Sequence, residues 1–164
     1  MTKRYTTTNK HDAPPEKVMS VFLDAKFLKE REIAQGAVDA SVEELERTQN
    51  QVVIKLHATE YGRTMTGGLD KTKREQSSTT YHWDTQKMKG DWTYQGTHGD
   101  KIKISGVFTI TPTAQGGSMV TSDFQVEVGI PLIGKRIEKM IIKEIEKSNP
   151  ISARVLRDFL ANQN

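Results

Sequence analysis

The stretch that decides the fold is residues 130–160, IPLIGKRIEKMIIKEIEKSNPISARVLRDFL. At about 100° per residue, its apolar side chains fall in one sector, which predicts a long amphipathic helix. The sector contains Ile133, Ile137, Met140, Ile141, Ile145, Ser148, Ser152, Val155 and Phe159, with Ile151 at its edge. A helix of this length has more apolar surface than a short cap needs, so we expect a curved sheet around it, enclosing a cavity.

Pro150 interrupts this stretch, yet the apolar phase continues on both sides of it. Proline lacks a backbone donor and clashes with the preceding turn, so it bends or ends a helix. Because the phase is unbroken, we predict one helix with a kink near residues 148–150. The alternative is two helices, with Asn149 capping the second and Pro150 in its first turn.

The N-terminal part of the chain predicts a strand followed by two short helices. Residues 4–9 are rich in β-formers. Asp12 precedes Pro14, Pro15 and Glu16, which predicts the start of a first helix with an acidic first turn. Asp24 caps a second helix, which stops before Gly36.

Residues 38–128 change to a period of two, which predicts strands with one buried face and one wet face. The buried positions are Val38, Ala40, Val42, Val52, Ile54, Leu56, Ile102, Ile104, Phe108, Ile110, Val120, Phe124, Val126 and Val128. Segments 76–84 and 91–96 add a further pair of strands. We therefore predict an α+β fold in one domain over residues 1–164, with an antiparallel sheet of about six to seven strands.

The order of elements and two local stretches resemble the START-like helix-grip (SRPBCC) superfamily. Residues 12–18, DAPPEKV, are similar to the superfamily's entry into its first helix. Residues 128–138, VGIPLIGKRIE, are similar to the strand-to-helix junction of a bacterial branch of uncharacterised function. The resemblance covers nearly the whole chain, and neither stretch is a catalytic signature. It implies a helix-grip fold, with an apolar ligand between the sheet and the C-terminal helix.

Composition limits the function classes. The chain has no cysteine, which excludes disulfides and thiol catalysis. Residues 1–9 are polar, and no apolar run is long enough for a bilayer, so we expect a cytoplasmic location. The net charge of +3 is mild, so we expect no nucleic-acid partner. The histidines lack metal-ligand spacing and there is no phosphate loop, so we expect no metal or nucleotide cofactor.

Aromatic residues on two neighbouring predicted strands are candidates for a ligand pocket. Tyr81 and Trp83 share a face, as do Trp92 and Tyr94. Aromatic rings with polar tips suit a pocket that holds an apolar ligand and offers a few hydrogen bonds. The alternative is ordinary cross-strand packing. The remaining predicted lining residues are Phe108, Phe124, Ile137, Met140 and Ile141.

Glu144 projects into the apolar stripe of the long helix, one turn before Ser148. A buried, unpaired carboxylate is costly or takes up a proton. Glu144 therefore either meets a ligand hydroxyl, acts as an acid or base in the cavity, or reaches solvent or a nearby Arg or Lys.

Residues 60–73 form a long polar connection with three glycines. One interpretation is a mobile flap over the cavity mouth, with Tyr61 and Arg63 meeting the polar end of a ligand. The other is an extended, twisted hairpin between two strands.

The outer face of the long helix is basic. Lys135, Lys139, Lys143 and Lys147 recur every four residues and repel one another. An anionic membrane surface contributes about 1 kcal/mol for each basic residue near it, so transient membrane contact is one interpretation. A solvated face is the other.

Two function classes follow from these residues. The first is a non-catalytic carrier of an apolar small molecule or lipid. The second is a cyclase- or hydrolase-like enzyme that uses the same cavity, with Glu144, Tyr81, Tyr94 and Arg63 as its polar groups. That set is small for catalysis and favours the carrier. A partner-binding module with a closed cavity is the third interpretation.

Overall fold

The computed structural model describes residues 2–64 and 66–162. Its strands are β1 (Lys3–His11), β2 (Asp39–Arg47), β3 (Gln51–Arg63), β4 (Leu69–Asp84), β5 (Lys89–Gln95), β6 (Ile102–Pro112) and β7 (Ser118–Val128). Its α-helices are α1 (Pro15–Phe22), α2 (Ala25–Ala34) and α3 (Gly134–Ala161), and a 3₁₀ turn covers Gly99–Lys101.

The strands form a seven-stranded antiparallel sheet in the order β1-β7-β6-β5-β4-β3-β2. Two short helices follow β1, and α3 follows β7. The helix-grip α+β prediction is therefore confirmed. In the described part of the chain, no helix combines the length and hydropathy that crossing a bilayer requires.

The short helices begin where the sequence predicts. The Asp24 carboxylate accepts hydrogen bonds from the backbone N–H groups of Lys26 (2.8 Å) and Phe27 (3.3 Å), which satisfies donors that the helix leaves unpaired. α1 starts at Pro15, whose fixed φ suits a first helical turn. Apolar side chains of both helices pack against the sheet.

The packed core occupies one half of the concave sheet face. Trp83 and Leu56 of the sheet lie there, with Phe22 of α1 and Phe27 of α2. The second half of α3 closes this core with Val155, Leu156 and Leu160. The first half of α3 therefore lies over the remaining part of the sheet.

α3 runs without a break through Pro150, so the two-helix alternative is wrong. Neighbouring polar groups are satisfied locally. The Ser148 hydroxyl donates to the Ile145 carbonyl (3.2 Å), and Asn149 Oδ1 accepts from Asn9 Nδ2 of β1 (3.0 Å). This contact with the sheet edge holds the helix next to its proline.

The predicted phase of the α3 stripe is only partly right. Ile133 precedes the helix and is 38% exposed, whereas Glu138, Leu156 and Leu160 are buried outside the predicted sector. Leu156 and Leu160 are buried because α3 packs against α1 and α2 as well as against the sheet, so several sides of its second half are covered. Glu138, in the first half, is buried against the end of β7. Projecting the sequence at about 100° per residue predicts one buried face and takes no account of contacts with neighbouring helices.

Candidate functional site

The start of α3 is fixed to the end of β7. Gly134 is buried so close to the sheet that a Cβ there would lie 2.9 Å from the Val128 carbonyl oxygen. One turn later, the buried Glu138 Oε1 accepts a hydrogen bond from the Val128 N–H at 3.4 Å. Glycine is required at this junction because any side chain would push the helix away from the strand.

The first half of α3 contacts the rest of the protein along its two flanks. On one flank, the Met140 side chain lies against Gly67, and Glu144 reaches Arg63. On the other flank, Asn149 Oδ1 accepts a hydrogen bond from Asn9 Nδ2 of β1 at 3.0 Å, and Ile142 lines a surface groove beside β1. Both flanks are therefore held, and the helix spans the sheet between them.

Three isoleucines of α3 lie between these two flanks at helical spacing, so they face the sheet. They are Ile137, Ile141 and Ile145. All three are only half-buried, whereas Val155 and Leu156 in the second half are buried. The helix packs less closely over this part of the sheet, and this part of the interface between α3 and the sheet is the candidate ligand site.

The predicted segment 60–73 is a hairpin. Gly62 pairs with Asp70 and Arg63 with Leu69, after an irregularity between Tyr61 and Gly62. The hairpin extends beyond the end of β5 and reaches α3. Met65, within the predicted segment, lies outside the described residues.

Arg63 and Glu144, both predicted to meet a ligand, meet each other. Arg63 Nη2 lies 3.0 Å from Glu144 Oε2, and its Nη1 donates to the Gly67 carbonyl at 3.1 Å. Lys147 Nζ also lies 3.5 Å from Glu144 Oε1. The Glu144 side chain is 45% exposed, so this ion pair forms the rim of the site and closes the hairpin onto the helix.

The predicted aromatic residues share the concave face but divide into two groups. Trp83 and Phe108 stack at 5.9 Å between ring centroids, and Phe22 of α1 packs on both. These rings belong to the packed core. Trp92 and Tyr94 are half-buried, and Trp92 packs at the edge of this core with its ring centroid 6.3 Å from that of Phe108.

Trp92 lies flat on the sheet beside the buried Phe124, at 6.5 Å between ring centroids. A Cβ at Gly106, its cross-strand neighbour, would lie 2.7 Å from the indole ring. Among the described residues, the Trp92 Nε1 donor is buried with no hydrogen-bond acceptor. Buried donors are normally paired, so the unpaired Trp92 Nε1 is a candidate donor to a ligand.

A polar cluster that the sequence analysis missed lies around Tyr81. Arg31 of α2 is 4% exposed, and its Nη2 donates to the Tyr81 hydroxyl at 2.7 Å. The same nitrogen lies 3.7 Å from Glu32 Oε1. Tyr81 is therefore held by a buried guanidinium as well as by aromatic packing.

Glu60 on β3 is the acidic group that faces this cluster. Burial raises the pKa of the Glu60 carboxyl, and the nearby Glu32 raises it further, while Arg63 opposes the shift. Burial likewise raises the pKa of Tyr94 to about 12, with a further contribution from Glu60. A carboxyl that holds its proton more tightly, beside a neutral phenol, suits hydrogen bonding to a ligand and proton transfer.

The family model described as a protein of unknown function, DUF2505, matches residues 6–160. The chain belongs to the DUF2505 family. No curated protein sequence matches it at a significant level.

Solved structures share the fold of this DUF2505 chain. The Thermus thermophilus protein TTHA0849 is 17% identical with a TM-score of 0.68, over 99% of this chain and 100% of that one. The Zhui aromatase/cyclase from a Streptomyces species is 14% identical with a TM-score of 0.66, over 99% and 96%. A START superfamily protein from Mycobacterium smegmatis is 16% identical with a TM-score of 0.56, over 98% and 99%. The START-like resemblance is therefore confirmed for the fold.

The alternation of inward-facing and outward-facing residues along β3 is the sequence signal from which Glu60 could have been predicted in this DUF2505 chain. Val52, Ile54, Leu56 and Ala58 alternate inward on β3, and Glu60 continues the same face. Arg31 and Glu32 have no comparable signal, because a charged pair near the end of a short helix is typical of a solvated surface.

The raised pKa of Glu60 predicts pH-dependent stability. A carboxyl whose pKa is higher in the folded state lowers stability when it ionises. This cost appears as the pH rises above the ordinary value of 4.5, and it is complete above the raised value. We expect Glu60→Gln to be more stable than the wild type at about pH 8 and to lose that advantage at about pH 4.

Urea unfolding at both pH values measures the difference. Glu127→Gln is the matched control, because Glu127 is an exposed carboxylate on the outer face of β7. An equal difference for the two variants at both pH values would contradict the placement of Glu60.

Proposed function

We propose that this chain binds an apolar small molecule or lipid with one polar end, between the sheet and the first half of α3. The observation that carries the proposal is the half-burial of Ile137, Ile141 and Ile145 beneath a helix that is held along both flanks. Proteins with this fold typically bind hydrophobic ligands in a cavity, which supports the same site.

The polar end of the ligand would lie toward Glu60, Tyr94 and Trp92. Trp92 Nε1 is a donor without an acceptor, and Glu60 is an acceptor when ionised. A hydroxyl or amine accepts from one group and donates to the other. The apolar part would lie against the three isoleucines and Phe124.

We predict that Ile141→Trp weakens binding by about tenfold or more, because the larger ring occupies the space beneath α3. The matched control is Ile142→Trp on the same helix, since Ile142 lines the outer groove beside Lys139 and Lys143. We expect the control to bind as the wild type does. Titration with aminoanthracene, an apolar fluorophore with an amine end, measures both variants.

Far-ultraviolet circular dichroism and urea unfolding would show that both tryptophan variants are folded. Equal affinities for Ile141→Trp and Ile142→Trp would place the probe elsewhere on the protein. A wild type that fails to bind the probe or any extracted lipid would instead favour the partner-binding module with a closed cavity.

The second candidate is an enzyme that uses the same cavity. The raised pKa of Glu60, beside the phenol of Tyr94, favours it, because a general acid or base works best with a pKa near the working pH. Native mass spectrometry of the wild type and Glu60→Gln, each purified from the natural host, separates the two functions. The same bound compound in both proteins supports a carrier, whereas a different compound in the variant supports catalysis.

A further inference from the structure

We propose that the turn between β7 and α3 is a docking tip that inserts into the surface of an anionic membrane. The docking tip consists of Ile130, Pro131, Leu132 and Ile133. It is a property of the outer surface and does not depend on what occupies the space beneath α3.

The docking tip presents an apolar side chain fully to solvent. Leu132 is 105% exposed and Ile133 is 38% exposed. The turn is closed by a hydrogen bond from the Gly134 N–H to the Ile130 carbonyl at 2.9 Å, which leaves Leu132 at its apex. Leu132 also has a φ of 70°, in the left-handed region that is unfavourable for leucine. A polar residue or glycine would suit this position better if the tip faced only water.

Basic side chains follow the tip along the first turns of α3 and lie at the start of β1, where Lys3 pairs with Val126 near the end of β7. They are Lys3, Arg4, Lys135, Arg136, Lys139 and Lys143. Four of them, Lys3, Arg4, Lys139 and Lys143, line a groove of about 270 Å³ between β1 and α3, where Glu146 is the acidic group. Each basic group near an anionic bilayer strengthens binding about fivefold, so the set complements such a surface.

The four lysines of α3 that were predicted to face a membrane form two groups in the structure. Lys135, Lys139 and Lys143 are exposed on the side of the tip and of β1. Lys147 is also exposed, but it lies 3.5 Å from Glu144 at the rim of the ligand site. The docking surface is therefore the first turns of α3 together with the start of β1.

The shape of the tip favours a bilayer over a protein or nucleic acid. A protein partner requires a complementary pocket for a projecting leucine, whereas a fluid bilayer accepts any convex apolar group. A nucleic acid would use the basic groups alone and gain nothing from Leu132. Leu69, 55% exposed on the hairpin that closes onto α3, adds a second apolar group at the same end of the sheet.

A fluorescent label at the tip tests insertion directly. Because the chain has no cysteine, Leu132→Cys is labelled at one position with an environment-sensitive dye. We expect a blue shift and stronger emission with vesicles of phosphatidylcholine and phosphatidylglycerol, and no change with phosphatidylcholine alone. Leu45→Cys is the matched control, since Leu45 is 51% exposed on β2, and its label should not respond. Equal responses at the two positions, or none at either, would overturn the proposal.

Vesicle co-sedimentation at low salt tests the apolar tip and the basic residues separately. We expect Leu132→Ser to weaken binding about tenfold and Leu45→Ser to leave it unchanged. We expect Lys139→Gln/Lys143→Gln to weaken binding by about tenfold or more, compared with Lys87→Gln/Lys89→Gln at the β4–β5 turn. Binding that requires the lysines but not Leu132 would indicate a general polyanion surface and would overturn membrane insertion.

Discussion

Arg31→Ala is expected to lower the free energy of unfolding by about 3–5 kcal/mol, the usual cost of breaking a buried ion pair. Arg31 is 4% exposed, and its guanidinium donates to the Tyr81 hydroxyl at 2.7 Å. It also lies over the rings of Phe27 and Tyr81, at 5.5 and 5.7 Å from their centroids. The substitution removes these contacts and leaves Glu32, whose side chain is 17% exposed, without its cation. Urea unfolding measures the loss.

Lys29→Ala is the matched control, because Lys29 is an exposed cation on the same helix and should change stability by less than about 0.5 kcal/mol. A similarly small change for Arg31→Ala would contradict the buried position of the guanidinium.

The contributions that the charge and the packing of Arg31 make to the free energy of unfolding can be measured separately. Arg31→Met keeps most of the side-chain volume but removes the counterion of Glu32. Burial raises the pKa of Glu32 and Arg31 opposes that shift, so Glu32 should take up a proton more readily in this variant. The loss of stability should therefore be smaller at about pH 4 than at about pH 8, and Glu32→Gln should restore part of it. Tyr81→Phe, which removes one acceptor, should cost about 1 kcal/mol.

Trp83→Ala is expected to cost about 3–5 kcal/mol, since it removes a large buried ring and leaves a cavity in the packed core. Trp83 is 1% exposed and lies between Phe22 and Phe108. Its ring also covers Gly90 on β5, where a Cβ would lie 2.5 Å away. The second tryptophan, Trp92, remains as a fluorescence probe for urea unfolding.

Trp83→Phe is the control for ring packing and should cost less than the alanine variant, because an aromatic ring still covers Gly90. The reciprocal change, Gly90→Ala, should also lower the stability of the protein, because the added methyl group would clash with the indole ring of Trp83. A loss below about 1 kcal/mol for Trp83→Ala would contradict the position of Trp83 in the packed core.

The fold could be predicted from the sequence because the patterns that indicate its strands and helices involve only neighbouring residues. Alternation along residues 120–128 and the Asp24 cap each required only neighbouring residues, and both agree with the structure. Pro150 was predictable in part, because the apolar phase continued through it, and α3 is indeed continuous. The candidate site was less predictable, since Glu32 and Glu60 are far apart in sequence and come close only when α2 lies over the sheet.

Sequence by itself determined the order of elements, the amphipathic C-terminal helix and the aromatic strands, because hydrophobic periodicity and capping are properties of adjacent residues. Tertiary structure alone decided which polar groups are buried together. It joined Glu144 to Arg63 at the rim, placed Arg31 against Tyr81, and left Trp92 Nε1 without an acceptor among the described residues. Burial and hydrogen-bond partners depend on how sheet and helices pack, so the proposed ligand site is a property of the assembled fold.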